Sequence, residues 1–161
     1  MVAGHPLWTP IGTSARAGAS RGDRDVFRAL ADAAGADAVL VSAASVDVTS
    51  PKVIRSTAGS IFHLPVVTGL DIEPTLAMLG EAGITRLAAD GAGSVTTDDA
   101  DLTGPHAWVM GNEAWGLEEA TLRACDEVVR VPIHGHAESL NLAMAATVCM
   151  YAIAAATQTT D

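Results

Sequence analysis

The most specific pattern in this chain lies in two polar stretches, Met110-Gly-Asn-Glu-Ala-Trp-Gly-Leu117 and Val131-Pro-Ile-His-Gly-His-Ala-Glu-Ser-Leu-Asn-Leu-Ala143. Each stretch follows a short apolar run and puts small or polar residues where a strand gives way to a helix. In an open α/β sheet, ligands bind in the crevice outside this edge. Gly111 and Gly116 allow bare backbone to approach a ligand closely. The two stretches together therefore predict one binding site.

Short apolar runs alternate with helical segments through the rest of the chain. The runs predict strands at residues 38–41, 64–67, 86–89, 107–110 and 128–131. The intervening segments predict a first helix that is capped by Asp23 or Asp25 and runs to Ala34, and further helices at residues 51–58, 71–82, 117–125 and 139–157. Strands separated by helices indicate an α/β fold, with a parallel sheet covered by helices on both faces.

Residues 1–22 carry no such alternation and are predicted to form a mostly irregular tail before a single domain at residues 23–161. Residues 90–104, which contain four aspartates, are predicted to form a solvated surface connection. The apolar segment at residues 140–156 is interrupted by Asn141 and Thr147, so it predicts a buried helix rather than a membrane span.

Composition narrows the class of protein further. The 161 residues carry a net charge of −10, which argues against broad binding of a phosphate backbone by this domain alone. No secretory signal is visible, and Cys125 and Cys149 lack metal-ligand spacing. We therefore expect a cytoplasmic protein with two buried, reduced thiols and no membrane partner.

The two polar stretches closely resemble motifs two and three of the SpoU (TrmH-type) RNA 2′-O-methyltransferases of the SPOUT superfamily. Motif two is matched by Gly111, Asn112, Glu113, Gly116 and Leu117. Motif three is matched by Val131, Pro132, Ile133, Gly135, Ser139, Leu140, Asn141, Leu142 and Ala143. The likeness covers roughly residues 26–156.

This resemblance implies a fold, a reaction and partners. The fold would contain a deep trefoil knot near the C-terminus, which forms the cofactor pocket. The reaction would transfer the methyl group of S-adenosylmethionine to a ribose 2′-hydroxyl of rRNA or tRNA. The enzyme would act as a homodimer, with the last helix and the cofactor-loop side at the interface.

The resemblance also assigns roles to particular residues. It places Gly111, Val131, Ile133 and Leu140 in the cofactor pocket, with Leu117 as a lesser candidate. It places Glu113, Ser139 and Asn141 around the active site, where they organise the loops and the substrate. Residue types alone leave alternatives open. The aliphatic side chains would suit a plain core, and Ser139 would suit the N-cap of the last helix.

Motif one of the family, Asn-x-Gly-x-x-x-Arg after a buried strand, is matched approximately and only at its arginine, by Arg28, which falls one residue early when counted back from Gly35. No asparagine precedes Asn112, and no apolar strand precedes Arg28. Arg28 is either the cation that positions the 2′-hydroxyl or a solvent-facing helix residue.

Two rival functions remain open. One is a non-catalytic, truncated dimer of the same fold that lacks motif one, either with or without binding of S-adenosylmethionine. The other is a metal-dependent hydrolase built on His134 and His136. The sequence offers these two histidines no evident third ligand, so we predict no metal site.

Overall fold

Parallel strands form one sheet in the computed structural model of the protein, which describes residues 11–12, 30–43, 64–111 and 116–158. The strands are β1 (Ile11–Gly12), β2 (Val39–Ser42), β3 (Val66–Leu70), β4 (Thr85–Ala89), β5 (Val95–Thr96), β6 (His106–Met110) and β7 (Glu127–Arg130). The helices are α1 (Ile72–Glu81), α2 (Glu119–Ala124) and α3 (Leu142–Gln158). Residues 30–33 form the described end of one more helix.

The order of the strands is β3-β2-β1-β6-β4-β7-β5, and every neighbouring pair is parallel. β6 lies at the centre and is buried along its whole length. A continuous apolar run is what a parallel strand covered on both faces requires. The predicted α/β fold with a parallel sheet is therefore confirmed.

Side chains of β6 alternate between two apolar clusters, one on each face of the sheet. Trp108 and Met110 pack with residues of α3, including Met150 and Ile153. Ala107 and Val109 of β6 face the opposite side of the sheet. They belong to a cluster that includes Leu76 and Leu79 of α1 and Leu122 of α2. Helices therefore cover both faces, as predicted. Among the described residues, no helix is long and apolar enough to cross a membrane.

The five predicted strands are all present, with ends displaced by at most three residues. The helix predicted to stop at Gly35 does end there, and Gly35 has a φ of 81°, which favours glycine. The helix predicted at residues 51–58 lies outside the described residues.

Two short strands were not predicted. Ile11 and Gly12 pair with β2 on one side and β6 on the other, so two residues of the predicted irregular tail belong to the sheet. β5 pairs with β7 and lies inside the segment predicted as a solvated connection. Both predictions are wrong at these positions. A two-residue strand is held by backbone hydrogen bonds and is too short to give a period in the sequence.

Arg86 and Asp126 link α1, β4 and β7 at the amino ends of the strands. The Arg86 backbone N–H and Nε both donate to Asp126 Oδ2, at 2.7 and 2.8 Å, and Nη1 donates to the Leu76 carbonyl at 3.1 Å. The hydrogen bond from Arg86 lowers the pKa of Asp126 below its ordinary value, although partial burial opposes the shift. The Asp126 carboxylate therefore stabilises the fold while it is ionised.

We expect Asp126→Asn to reduce stability at pH 7 by about 1 kcal/mol, a value that allows for screening of a side chain that is 40% exposed. A lowered folded-state pKa gives stability that is present above the unfolded value of about 3.9 and lost as the pH falls through the folded value. The gap between wild type and variant in urea unfolding should therefore narrow as the pH falls below the unfolded value. Glu119→Gln, in the exposed pair with Arg123, is the control and should change stability by less than about 0.5 kcal/mol. A gap that stays constant down to pH 2 would contradict this account.

Candidate functional site

A cavity of about 340 Å³ opens at the carboxyl ends of three adjacent strands, β6, β4 and β7. This volume lies within the range of small-molecule sites, about 300–1,000 Å³. Its apolar wall includes Val131, Ile133, Leu140, Leu142 and Ala145, and its polar wall includes Asp90, Arg130, Glu138 and Ser139. Gly91, Gly111 and Gly116 contribute bare backbone.

The backbone crosses itself closely at the glycine side of the cavity. A methyl group built on Gly111 would lie 2.4 Å from the carbonyl carbon of Gly116 and 2.8 Å from the backbone nitrogen of Leu117. Gly116 has a φ of 67°, in the left-handed region. Both positions therefore require glycine, one for space and one for backbone conformation.

The structure brings together the four residues predicted to form a cofactor pocket. Gly111, Val131, Ile133 and Leu140 all line the cavity. Ile133 and Leu140 are 37% and 39% exposed, so the alternative that they are plain core residues does not describe them. Their role in cofactor binding stays a prediction. Leu117 is buried in the cluster that contains Leu76 and is not part of the cavity wall, and its assignment as a lesser pocket residue stays a prediction.

The start of α3 differs from the prediction that Ser139 caps this helix. Asn141 is the N-cap: its Oδ1 accepts hydrogen bonds from the backbone N–H groups of Ala143 at 2.9 Å and Met144 at 3.3 Å. Asparagine and serine are similarly good N-caps, so residue type did not separate the two positions. Ser139 is exposed and lines the cavity instead, two residues before the cap.

Arg28 and Glu113 lie outside the described residues, and so does the part of the chain that would carry motif one. His134 and His136 are exposed in the loop before α3. In the described segments, no three metal-binding side chains come together.

Sequence reasoning missed three charged residues of the cavity wall: Asp90, Arg130 and Glu138. Asp90 was assigned to the solvated connection, yet it follows β4 directly and lies in the wall. Its position at the carboxyl end of a buried strand was the available signal, because the ends of parallel strands meet at one edge.

The two cysteines are suited to packing rather than chemistry. Cys149 is fully buried in α3, as predicted, whereas Cys125 is only partly buried at the end of α2. Burial raises the pKa of the Cys149 thiol to about 12 and that of Cys125 to about 11. Both thiols are protonated at neutral pH, and neither lines the cavity.

A sequence model described as the SpoU rRNA Methylase family matches residues 25–151, which include every described residue of the cavity. The chain belongs to the SpoU rRNA methylase family. The resemblance inferred from the two motifs is thereby confirmed.

Relatives of this chain include two proteins named as 23S rRNA 2′-O-methyltransferases. The chain is 33% identical over 122 residues to the 23S rRNA (guanosine-2′-O-)-methyltransferase RlmB of a Burkholderia species, covering 76% of this chain and 49% of that protein. It is 37% identical over 126 residues to the 23S rRNA (uridine(2479)-2′-O)-methyltransferase of Streptomyces viridochromogenes, covering 75% and 44% of the two chains. The chain therefore spans about half the length of these relatives.

A solved SpoU structure matches the same fold. The SpoU methyltransferase AviRb from Streptomyces viridochromogenes, in complex with the cofactor AdoMet, superimposes with a TM-score of 0.85 at 30% identity. The superposition covers 98% of this chain and 63% of AviRb.

Proposed function

We propose that this SpoU family chain is the catalytic part of an S-adenosylmethionine-dependent RNA methyltransferase that acts on a ribose 2′-hydroxyl of rRNA or tRNA. The observation that carries the proposal is that described residues of motifs two and three meet at one cavity across the ends of β6, β4 and β7. Support also comes from the cofactor complex of AviRb, whose fold this chain shares.

The walls of the cavity suit this cofactor. The aliphatic side chains of Ile133, Leu140 and Leu142 offer an apolar surface for a purine, and Gly111 and Gly116 present bare backbone to the cavity. Charged groups of both signs, Asp90 and Arg130, match a ligand that carries hydroxyl, ammonium and carboxylate groups. S-adenosylmethionine would supply the methyl group.

The reaction then depends mainly on positioning. The ribose oxygen must attack the methyl carbon in line with the breaking bond to sulfur, and the hydroxyl proton must leave. Orientation can supply about 7–11 kcal/mol of the barrier reduction in favourable systems. We assign Ser139, Asn141 and Glu113 to organising the loops and the substrate around that geometry. Arg28, a permanent cation, would position the 2′-hydroxyl or a neighbouring phosphate electrostatically.

Calorimetric binding of S-adenosylmethionine, followed by transfer of a labelled methyl group to rRNA and tRNA, tests the proposal. Binding with label at a ribose 2′-oxygen supports the enzyme. Binding without transfer to any RNA would favour the non-catalytic dimer, for which the incomplete motif one argues. Absence of binding by the folded protein would reject the enzyme and leave a non-catalytic protein of the same fold.

The homodimer is also part of the proposal. α3 exposes Met144, Val148 and Tyr151, which follow one another at helical spacing and form one apolar stripe. Exposed Leu140 and Ile133 extend this apolar surface toward the cavity. Such a surface is typical of a protein interface.

We expect Val148→Glu to convert a wild-type dimer into a monomer in sedimentation equilibrium, because a charge would be buried without a partner. Met78→Glu is the control: Met78 is 55% exposed on α1, away from the stripe, and its replacement should leave the dimer intact. Wild-type protein that is monomeric at tens of micromolar would refute the dimer.

Four further features belong to the same proposal. We infer a deep trefoil knot near the C-terminus, supported by membership of the SpoU family. Residues 23–161, together with β1, would form the catalytic domain. A cytoplasmic location follows from the proposed RNA substrates, and the proposed chemistry requires no metal.

A further inference from the structure

We infer that Asp90 is a cofactor-binding residue whose second carboxylate oxygen, Oδ2, accepts hydrogen bonds from the ribose hydroxyls of S-adenosylmethionine. The inference rests on the proposed function, because it takes the cavity as the cofactor site. It adds a specific contact that neither polar motif contains.

The backbone fixes Asp90 at the middle of the cavity edge. Asp90 is the first residue after β4, and β4 lies between β6 and β7, whose ends carry Gly111 and Val131. The backbone N–H of Asp90 donates to the Val129 carbonyl at 3.1 Å, and its carbonyl accepts from the Gly93 N–H at 3.1 Å. Both backbone groups of Asp90 are therefore engaged, and its side chain starts from a defined position.

The side chain is held by only one of its two oxygens. Oδ1 accepts a hydrogen bond from the Ala92 N–H at 2.9 Å, which closes a tight turn at Gly91. Oδ2 lies on the glycine side of the cavity, 3.5 Å from where a methyl group on Gly116 would be. Within the described part of the chain, no group donates a hydrogen bond to Oδ2. A partly buried carboxylate oxygen beside bare backbone is therefore available to a ligand donor.

The chemistry of methyl transfer favours the ribose as that donor. The sulfonium loses its positive charge as the methyl group leaves, so a fixed carboxylate beside it would stabilise the bound cofactor more than the transition state. The amino-acid end is a zwitterion, in which the carboxylate that Asp90 would repel offsets the ammonium group that it would attract. The two ribose hydroxyls are neutral donors, and their charge does not change during the reaction. A carboxylate at the ribose therefore binds the cofactor without opposing transfer.

Two variants, Asp90→Asn and Asp90→Ala, distinguish the hydrogen bond that closes the turn at Gly91 from the proposed hydrogen bond to the ribose. Asparagine keeps an oxygen for the Ala92 N–H but replaces Oδ2 by an amide NH₂ group, whereas alanine removes both. We expect both variants to weaken calorimetric binding of S-adenosylmethionine roughly 10- to 100-fold, the usual range for hydrogen bonds to a charged group. The control, Asp98→Asn, removes the same charge from an exposed position outside the cavity and should bind like wild type.

Four further ligands identify the group that is bound. Asp90→Asn should weaken S-adenosylhomocysteine and methylthioadenosine by the same factor as S-adenosylmethionine, because all three carry the ribose hydroxyls. Adenosine should also lose affinity, whereas 2′,3′-dideoxyadenosine should bind wild type and Asp90→Asn equally. Thermal melting close to that of wild type confirms that the asparagine variant is folded.

Several results would overturn the inference. Normal binding by Asp90→Asn with weak binding by Asp90→Ala would make Asp90 a turn residue only. A loss confined to S-adenosylmethionine would assign the carboxylate to the sulfonium. A loss with S-adenosylmethionine and S-adenosylhomocysteine, but not with methylthioadenosine, would assign it to the ammonium group. An equal loss with dideoxyadenosine would assign it to the adenine. If folded wild type binds none of these ligands, the proposed function fails and the inference fails with it.

Discussion

Gly111→Ala should abolish measurable binding of S-adenosylmethionine and lower the stability of the fold. The added methyl group would lie 2.4 and 2.5 Å from the carbonyl carbon and oxygen of Gly116. These atoms belong to backbone, so no side chain can rotate away to relieve the clash. Overpacking typically costs about 1–3 kcal/mol and moves the backbone, and here the backbone that moves is the wall of the proposed cofactor site.

Thermal melting and calorimetry of the same preparation measure the two effects of this substitution. Gly135→Ala is the control for melting, because a methyl group there would meet no atom within 4 Å and Gly135 does not have a positive φ. It should melt within about 2 °C of wild type, as expected for a change below about 0.5 kcal/mol. Wild-type melting and binding in Gly111→Ala would show that the two backbone segments do not cross closely in solution.

Leu140→Arg should also abolish binding, but with the fold intact. Leu140 lines the cavity and is 39% exposed, so a long charged side chain can stay hydrated while it occupies the space of the proposed purine site. We expect at least a 100-fold loss of affinity, which corresponds to about 2.7 kcal/mol. The loss combines steric exclusion with removal of an apolar contact.

Two variants control for the chemistry and the charge of this substitution. Leu140→Met conserves volume and apolar character and should bind within a few-fold of wild type. Met78→Arg adds the same cation at an exposed position on α1, outside the cavity, and should bind normally. Tight binding by Leu140→Arg would mean that the ligand occupies another part of the molecule.

The extent of agreement between sequence and structure follows from the length of each element. β6 and β4 pair along five residues each, and such runs of buried apolar residues are visible in the sequence. β1 and β5 contain two residues each and are too short to show an alternation of apolar and polar residues in the sequence. Their positions are set by pairing with longer strands, which is tertiary information.

In the candidate site, too, residues within a local sequence motif could be predicted, whereas a residue placed by the order of the strands could not. Gly111, Val131, Ile133 and Leu140 could be assigned because they belong to two recognisable motifs. Asp90 belongs to neither motif, and its role depends on β4 lying between β6 and β7. The shift of the N-cap from Ser139 to Asn141 has a simpler cause, since either residue can cap a helix and only hydrogen-bond geometry distinguishes them.

The place of β1 in the sheet has a consequence for how the chain folds. Ile11 pairs with Leu40 on one side and with Val109 on the other, so the join between the two halves of the sheet needs residues far apart in the chain. During synthesis, β1 and β2 can associate early, but the open edge of β1 has no partner until β6 has been made. Non-local pairing of this kind is slow, and an unpaired strand edge is a template for aggregation. The middle of this sheet therefore stays open until β6 has been made, and until then the edge of β1 is exposed to other chains.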